Sequence, residues 1–266
     1  ISSYLEEGEN VFALYLGRGR YNMSTVSVWA FENSPWREPC RFTLAGEIVA
    51  AGESVVLDSV GWKCTEGPIY RDSMYEGEGF DARLEQQGWM SSGFDDSAWD
   101  EAIETSAPKG KLQATDIEPI RIADEVSVSR TVFADASRVV FEFPDMLAGN
   151  VRIRVTEPAG TRIHVAYAEG IDGDQLVSHK HNHHISGEFF QEDDYICRGD
   201  ATETWQSRFS YTGFRYVEIS GFTGDFAADQ VTALDMHQDL ESRGSFNCAN
   251  ALVNRIHQAS RKALLN

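Results

Sequence analysis

The sequence predicts a mainly β fold in which two antiparallel β-sandwich modules precede one C-terminal α-helix. Short runs alternate between apolar and polar residues with period two, turn-forming residues separate these runs, and only the last segment has helical spacing. At 266 residues the chain is also longer than one ordinary domain, so two domains of moderate size are expected.

Six runs predict strands. Within each run alternate side chains point to opposite faces, so one face is apolar and can pack on a core. Turn signals such as Glu66-Gly-Pro and Asp172-Gly stand between runs, which is typical of antiparallel sheets and not of βαβ units. In chain order the runs are VFALYLG from Val11, STVSVWAF from Ser24, RVVFEF from Arg138, NVRIRVT from Asn150, RIHVAYAE from Arg162 and RYVEIS from Arg215.

The block GFRY and the residues after it predict a central strand. Phe214 and Tyr216 are expected on one face of that strand. Arg215, Val217 and Ile219 are expected on the other. Because both faces then carry apolar groups, the strand should lie inside the sheet, and its expected role is to support folding.

The final segment, SFNCANALVNRIHQASRKALLN from Ser245, predicts a helix of several turns. Its apolar residues recur at helical spacing and its basic residues lie towards the end, where they favour the helix dipole. A helix that begins as the sequence stops suggests truncation. The apolar positions are Leu252, Val253, Ile256, Ala259, Ala263 and Leu264.

A domain boundary is expected between Ala107 and Val126. The segment APKGKLQATDIEPIRIADEV contains two prolines, a glycine and no sustained periodicity. The expected units are therefore a first module at 1–117, a second at 118–240 and the helical segment at 241–266.

Charge and hydropathy exclude some function classes. The formal net charge of -19 argues against nucleic acid as a partner, because phosphate binding needs clustered basic residues. A neutral ligand such as a sugar is compatible with this negative charge.

No run approaches the roughly 20 apolar residues that span a bilayer, so no membrane partner is expected. The opening ISSYLEEGEN lacks the features of a signal peptide, which leaves export and compartment undecided.

The four cysteines predict neither a zinc knuckle nor a redox motif, because they lie far apart and have no CxxC spacing. Buried free thiols are the expected state. Cys40 and Cys64 could pair within the first module of an exported protein, and the sequence leaves this open. The remaining two are Cys197 and Cys248.

Several local patterns in the first half resemble the N-terminal modules of bacterial α-L-rhamnosidases. The segment LEEGENVFALYLGRGRY from Leu5 resembles part of a galactose-binding-like jelly roll. The pair YEGEGFDARLEQQGW from Tyr75 and GFDDSAWDEA from Gly93 is more specific, because that family places a YDGE-YDAR motif before a GFDDSAW motif. Glu76 stands where aspartate is usual and Phe80 where tyrosine is usual.

The second half adds three matches in the same order. RIRVTEPAGTRIHVAYAE from Arg152 resembles the family's next β-domain. DDYICRGDATETWQSRFSYTGFRYVEISG from Asp193 is its most recognisable stretch, and GSFNCANALVNRIHQAS from Gly244 resembles the entry into a helical catalytic barrel. The resemblance covers nearly the whole chain and implies two jelly-roll, galactose-binding-like sandwiches.

The resemblance also implies what this chain lacks. By comparison with the family pattern, the first module is expected to be without its opening strands, and the (α/α) barrel that the family places next is expected to lie beyond Asn266. Cleavage by inversion needs a carboxylic acid and a carboxylate base about 6.5–9.5 Å apart, and in this family both belong to that barrel. We therefore expect no catalytic residue here. The chain is expected to be the non-catalytic accessory region of a hydrolase that removes terminal α-L-rhamnose from glycosides or polysaccharides, with the helical domain as its partner.

Aromatic residues carry the sugar-binding hypothesis, since a pyranose stacks its apolar side on an exposed ring bordered by polar groups. The candidates in the first module are Trp36, Tyr75 and Trp89. Glu78 and Asp81 are candidates for holding a hydroxyl or a cation, and the favoured alternative is a salt-bridged strand and turn around Arg83. The family resemblance makes calcium conceivable at such a module, although no diagnostic calcium loop is present; no other cofactor is expected.

Two further functions stay open. A free-standing carbohydrate-binding module would show sugar affinity without catalysis. The segment VSHKHNHHISGEFF suggests a metal-dependent sandwich enzyme, because alternate histidines can face one way. A loop between strands is the favoured interpretation of that segment. Its histidines are His179, His181, His183 and His184.

Overall fold

The computed structural model describes residues 2–50, 52–106, 110–111, 113–177 and 189–265, and it confirms a mainly β fold with a C-terminal helix. Short 3-10 helices lie at Ser2–Tyr4, Phe31–Asn33, Ala82–Leu84 and Ala228–Gln230. The strands and helix are β1 (Ala45–Ala50), β2 (Glu53–Asp58), β3 (Lys63–Cys64), β4 (Ile69–Ser73), β5 (Gly77–Asp81), β6 (Asp100–Glu101), β7 (Ile120–Ser127), β8 (Arg130–Ala134), β9 (Arg138–Val155), β10 (Arg162–Ala168), β11 (Ile171–Asp172), β12 (Gln175–Leu176), β13 (Glu192–Ile196), β14 (Glu203–Gln206), β15 (Thr212–Ser220), β16 (Val231–Gln238) and α1 (Ala251–Leu265).

Ten of these strands form one curled sheet. Its order is β4-β5-β13-β10-β15-β9-β16-β7, and β8 and β14 also pair with β9. The 18-residue strand β9 pairs with β8 and β15 near its start and with β14 and β16 near its end. Strand β9 is thus hydrogen-bonded to β8 and β15 along its first part and to β14 and β16 along its last part, and the sheet bends between the two parts. Separate two-stranded sheets join β1 to β2, β3 to β6 and β11 to β12.

The core lies between the faces of the curled sheet. On β10 the alternation predicted from the sequence is realised, because Ile163, Val165 and Tyr167 are buried. Strands β9, β15 and β16 add most of the remaining core residues, and β5, β13 and β14 also contribute. The largest fully buried apolar side chains among them are Phe141, Phe143, Ile153, Phe214, Ile219 and Leu234.

Strand β15 is central, as predicted, but the predicted assignment of its faces is wrong. A β-bulge between Phe214 and Tyr216 shifts the register against β9. The extra residue places Phe214 in the core together with Val217 and Ile219. Arg215 and Tyr216 turn away from the core, and both bond the carboxylate of Glu142.

The strands predicted from Val11 and from Ser24 are absent, because both segments are described as loops. From residue 24 to 28 the chain alternates in burial, but Thr25 and Ser27 are inside while Val26 and Val28 are exposed. The Thr25 hydroxyl donates to the Glu76 carboxylate (3.2 Å). Alternation alone makes no strand when no neighbouring backbone accepts the ladder hydrogen bonds.

The β4–β5 hairpin crosses the predicted domain boundary, since β5 pairs in parallel with β13 of the second half. This pairing is parallel, whereas the other described pairings of the curled sheet are antiparallel, as predicted. Gly77 permits the close approach: it has φ +102°, and a Cβ there would lie 2.2 Å from the Glu192 carbonyl oxygen. On the same strand Phe80 enters the common core and stacks on Tyr195 at 5.9 Å.

Helix α1 confirms the predicted C-terminal helix. Asn250 caps its start, because the Asn250 Oδ1 accepts hydrogen bonds from the amides of Leu252 (3.0 Å) and Val253 (3.4 Å). No residue of the helix is buried within the described structure, and its apolar stripe faces outwards. The described part of the chain contains no helix long and apolar enough to cross a membrane.

All four cysteines are free thiols, so Cys40 and Cys64 do not pair in this structure. Cys197 is fully buried, as expected. Cys64 is exposed, and Cys40 and Cys248 are partly so.

Candidate functional site

Three aromatic rings of the first module form a partly exposed stack, which we call the aromatic platform: Trp29, Phe31 and Tyr75. The Trp29 ring lies 5.3 Å from Tyr75 and 6.1 Å from Phe31, and it is nearly parallel to both. Trp29 is 52% exposed. The Arg20 guanidinium lies 5.8 Å from the Phe31 ring, which places a cation beside the rings.

The platform is held at the turn of the β4–β5 hairpin. Tyr75 sits between β4 and β5, and its carbonyl oxygen accepts a hydrogen bond from the Gln191 amide at 2.9 Å. The carboxylate of the next residue, Glu76, accepts the hydrogen bond from Thr25, so the loop that carries Trp29 is tied to the same turn. A rigid ring face beside a carboxylate and a guanidinium is suited to stacking on a sugar and to binding its hydroxyls.

The other predicted aromatic candidates lie elsewhere. Trp89 is half-buried. Its ring packs edge-on against Tyr15, with centroids 5.7 Å apart, and lies tilted against Trp99 at 6.3 Å. Trp36 is exposed, and no ring contact is described for it. The structure therefore brings Tyr75 together with Trp29, and not with Trp36 or Trp89.

Glu78 is fully buried on β5, so its carboxylate does not reach the surface in this structure. Its Oε2 accepts the backbone amides of Arg208 (2.9 Å) and Phe209 (3.0 Å). Burial raises the pKa of Glu78 to about 7, against the effect of those two hydrogen bonds. The geometry gives Glu78 a role inside the protein, between the two halves of the chain.

Asp81 is also engaged within the chain. Its carboxylate caps the short helix Ala82–Leu84 and forms a two-point pair with Arg83, at 2.8 and 2.7 Å. The hydrogen bonds from Arg83 lower the pKa of Asp81. The salt-bridged turn that the sequence favoured is present here. Asp95 is likewise engaged within its own turn, where its carboxylate accepts the Ser97 amide at 3.1 Å.

Two described surface cavities show where other ligands could enter. One of about 170 Å³ is lined by Arg152, Arg154 and Asp229. The other, of about 600 Å³, lies beside α1 and is lined by Phe246, Leu264 and Glu241, among others. Each of these two cavities has a single carboxylate among its lining residues, so neither holds the acid and base pair that glycoside cleavage requires.

Metal binding has no support within the residues described. No group of three or more His, Cys, Asp or Glu side chains in that part of the chain could hold a metal ion. The histidine cluster at His179, His181, His183 and His184 lies outside the described residues. Calcium binding stays a prediction.

Sequence reasoning missed Trp29 and Phe31. Both fall in the run STVSVWAF, which predicted a strand, so Trp29 counted as part of a sheet and not as a loop residue. The sequence held one usable signal: in that run the apolar alternation stops at the adjacent apolar residues Trp29 and Ala30. The structure agrees, because Ala30 has a left-handed φ of 49°, which does not occur inside a strand.

Two family models match the chain. Residues 1–124 match the α-L-rhamnosidase N-terminal domain, and residues 134–237 match the bacterial α-L-rhamnosidase concanavalin-like domain. The segment between the two matches coincides with part of β7 and β8, which belong to the curled sheet.

The curated relatives and the similar proteins of known structure are α-L-rhamnosidases. An α-L-rhamnosidase of Formosa agariphila is 29% identical over the whole chain, which spans 28% of that protein's length. The α-L-rhamnosidase structure from Dictyoglumus thermophilum matches 80% of the chain and 24% of its own, with 34% identity and a TM-score of 0.72. The Streptomyces avermitilis α-L-rhamnosidase, solved in complex with L-rhamnose, matches 79% of the chain and 20% of its own, with 31% identity and a TM-score of 0.71.

Proposed function

The chain belongs to the bacterial α-L-rhamnosidases, of which it contains the N-terminal and the concanavalin-like domains, and we propose that it acts as a non-catalytic scaffold for a separate catalytic domain. The whole protein would remove terminal α-L-rhamnose from glycosides or polysaccharides. The chain spans about a quarter of the length of its relatives. Its contribution would be to position and stabilise the catalytic domain.

One observation carries the proposal: the acids with the most strongly perturbed environments are inside the fold. Glu78 and Asp193 have no exposed surface, and backbone amides or hydroxyl groups occupy their carboxylates. An acid and a base for glycoside hydrolysis must instead flank a cleft that admits the sugar and a water molecule. The described cavities offer only one carboxylate each.

Helix α1 supplies a surface for the partner domain. Its outward apolar side chains would be costly to leave in water in a longer protein and are suited to packing on other helices. The proposed partner is the helical catalytic domain of the same protein. The exposed apolar residues of α1 are Leu252, Val253, Ile256 and Leu264.

The test is hydrolysis of p-nitrophenyl α-L-rhamnoside by the 266-residue chain, with the intact Streptomyces avermitilis α-L-rhamnosidase as the positive control. We expect no release of p-nitrophenolate above the uncatalysed rate by the chain, at any pH between 4 and 8. Turnover by the purified chain that disappears in a variant of one of its carboxylates would contradict the scaffold proposal.

The aromatic platform favours a second function, sugar binding. Stacked rings with an exposed face, a guanidinium and a carboxylate nearby resemble the construction of carbohydrate sites. L-rhamnose or a rhamnose-terminated glycoside is the proposed ligand, with or without calcium.

Titration calorimetry with L-rhamnose tests this second function, in calcium and again in EDTA. Trp29→Ala and Tyr75→Ala are expected to abolish binding, because each removes one ring of the stack. Trp36→Ala is the matched control, since it removes an exposed ring outside the stack and should leave affinity unchanged. Equal loss in all three variants, or no heat with the unaltered chain, would sink the platform as a sugar site.

A further inference from the structure

The contact between the β4–β5 hairpin and strand β13, which we call the seam, joins the two family domains through buried ionisable groups. Backbone pairing runs in register from Asp194 opposite Gly79 to Ile196 opposite Asp81. The amide of Glu192 also donates to the Glu76 carbonyl oxygen at 2.9 Å. Ionisable side chains lie on both sides of this backbone pairing, with Glu78 on β5 and His164 on β10, the strand next to β13.

Glu78 reaches across the seam from the first domain to the second. Its Oε2 accepts two amides of the loop that connects β14 to β15, at Arg208 and Phe209. The same loop is held from behind by Asn150, whose side chain donates to the carbonyl oxygens of Ser207 (3.0 Å) and Ser210 (3.3 Å). The Glu78 Oε1 is buried without a hydrogen-bond partner. One oxygen is therefore fixed, and the other is in surroundings that favour a neutral carboxyl group.

The charged groups that face Glu78 are mostly acidic. Asp72 lies opposite it on β4, and on β13 the Asp193 carboxylate accepts the amide of Glu78 itself at 2.7 Å. Burial, with the charges of Asp193 and Asp72, outweighs the two backbone hydrogen bonds and raises the pKa of Glu78 to about 7. Arg208 lies over the Tyr15 ring, 5.2 Å from its centre. Burial raises the pKa of both Asp72 and Asp193 as well.

His164 on β10 is the second titratable group of the seam. Its Nδ1 lies 3.0 Å from the Asp194 Oδ1, and its Nε2 lies 3.8 Å from the Glu192 Oε2. Arg71 reaches from β4 to the other oxygen of Asp194 at 2.9 Å. On its remaining side His164 faces Ser220 of β15, which is uncharged. Burial works against the cation, but Asp194 and Glu192 outweigh burial and raise the pKa of His164.

Loss of the proton from Glu78 and loss of the proton from His164 both lower the stability of the seam. A carboxyl group whose pKa is higher in the folded state stabilises the fold below its unfolded pKa, and this contribution is lost as the pH rises through the folded value. A histidine with a raised pKa behaves alike, since its cation is favoured by folding. From pH 5 to pH 8 the two groups therefore add. Asp194, whose pKa is lowered by His164 and Arg71 against the effect of burial, loses its contribution only at more acidic pH.

We propose that the seam is a proton-dependent latch, which holds the two domains together most firmly when Glu78 is neutral and His164 is cationic, and loosens as both lose their protons. The latch is independent of sugar binding and of the scaffold role. It makes the attachment of the first domain sensitive to the pH of the surroundings.

Thermal unfolding between pH 5 and pH 8 tests the latch. The melting temperature of the unaltered chain should fall as the pH rises. Glu78→Gln should melt above the unaltered chain at pH 8 and close to it at pH 5, because glutamine stays neutral. His164→Gln should melt below it at pH 5 and close to it at pH 8. Glu53→Gln, an exposed carboxylate on β2, is the matched control and should follow the unaltered chain throughout.

A flat melting temperature in the unaltered chain, or a Glu78→Gln variant as steep in pH as the unaltered chain, would overturn the latch. If a variant does not fold, a carbon-13 titration of the Glu78 carboxyl in the unaltered chain decides the matter. A midpoint near 7 is expected, and a midpoint near the ordinary value of 4.5 would overturn the proposal.

Discussion

Strand β10 and the segment of residues 24–28 have equally regular alternation in sequence and opposite burial in structure. In β10 the apolar residues Ile163 and Val165 are fully buried between β13 and β15. In the other segment Val26 and Val28 are 65% and 53% exposed, and the polar side chains between them are inside. Alternation therefore specifies which residues share a face, whereas paired neighbours decide whether that face becomes part of a core.

The same contrast in the burial of apolar side chains extends over two longer regions, residues 138–238 and residues 10–62. In the part of the chain described between residues 138 and 238, nearly all large apolar side chains are buried or half-buried. Between residues 10 and 62 many are exposed, including those of the hairpin β1–β2. The exposed set in that region is Val11, Leu14, Leu16, Tyr21, Val26, Val28, Trp29, Trp36, Val49, Val55, Val56 and Val60.

The largest expected difference in unfolding free energy is between breaking a buried ion pair and breaking an exposed one. Asp194→Asn leaves the largely buried Arg71 guanidinium without its partner carboxylate, and such a break in a buried pair costs about 3–5 kcal/mol. Asp239→Asn breaks the exposed pair with Arg121 and should cost less than about 0.5 kcal/mol. Urea unfolding measures both. Equal losses of unfolding free energy would show that the seam is no more buried than the surface.

A matched valine pair tests the contrast in packing. Val165→Ala should lower the free energy of unfolding by about 2–3 kcal/mol, because it removes buried methyl groups and leaves a cavity. Val26→Ala should change it by less than about 0.5 kcal/mol, since exposed side chains away from special features contribute little. A large loss from Val26→Ala in the same urea experiment would mean that residues 24–28 are packed in solution.

A smaller effect than those of Asp194→Asn and Val165→Ala is expected at α1, which lies outside both regions. Asn250→Ala removes the cap from two amides of the first turn and should destabilise the helix by about 1 kcal/mol. Because no residue of α1 is buried, helicity measured by circular dichroism should fall while the melting temperature of the sheet stays the same. A matching fall in that melting temperature would place α1 within the cooperative unit.

The core strands and the helix could be predicted well from the sequence for a physical reason. In β9, β10 and β15 the local alternation agrees with the neighbours that the fold provides, and α1 has both its apolar period and its Asn250 cap within one segment. The bulge at Phe214 escaped prediction because the one-residue shift in the apolar pattern, from Phe214 to Val217 and Ile219, also fits a regular strand with apolar groups on both faces.

Strand β5 and the aromatic platform could not be predicted from local pattern. The segment GEGFD of β5 has two glycines and two buried acids in place of apolar alternation. Its position depends on β13, over a hundred residues later. Tyr75 was a candidate because its ring could stack on a sugar. Its partner Trp29 is 46 positions earlier in the sequence, and only the fold brings the two rings together.

Strand β5 anchors the first domain in the sheet of the second, because it pairs with β13 over residues 79–81 and 194–196. Amide hydrogen exchange at one pH tests it most directly, by comparing residues 77–81 with β10 and with the hairpin β1–β2. We predict that the paired amides of β5 exchange about as slowly as those of β10, and that the β1–β2 amides exchange much faster. Exchange of residues 77–81 as fast as that of β1–β2 would contradict the anchoring role of β5.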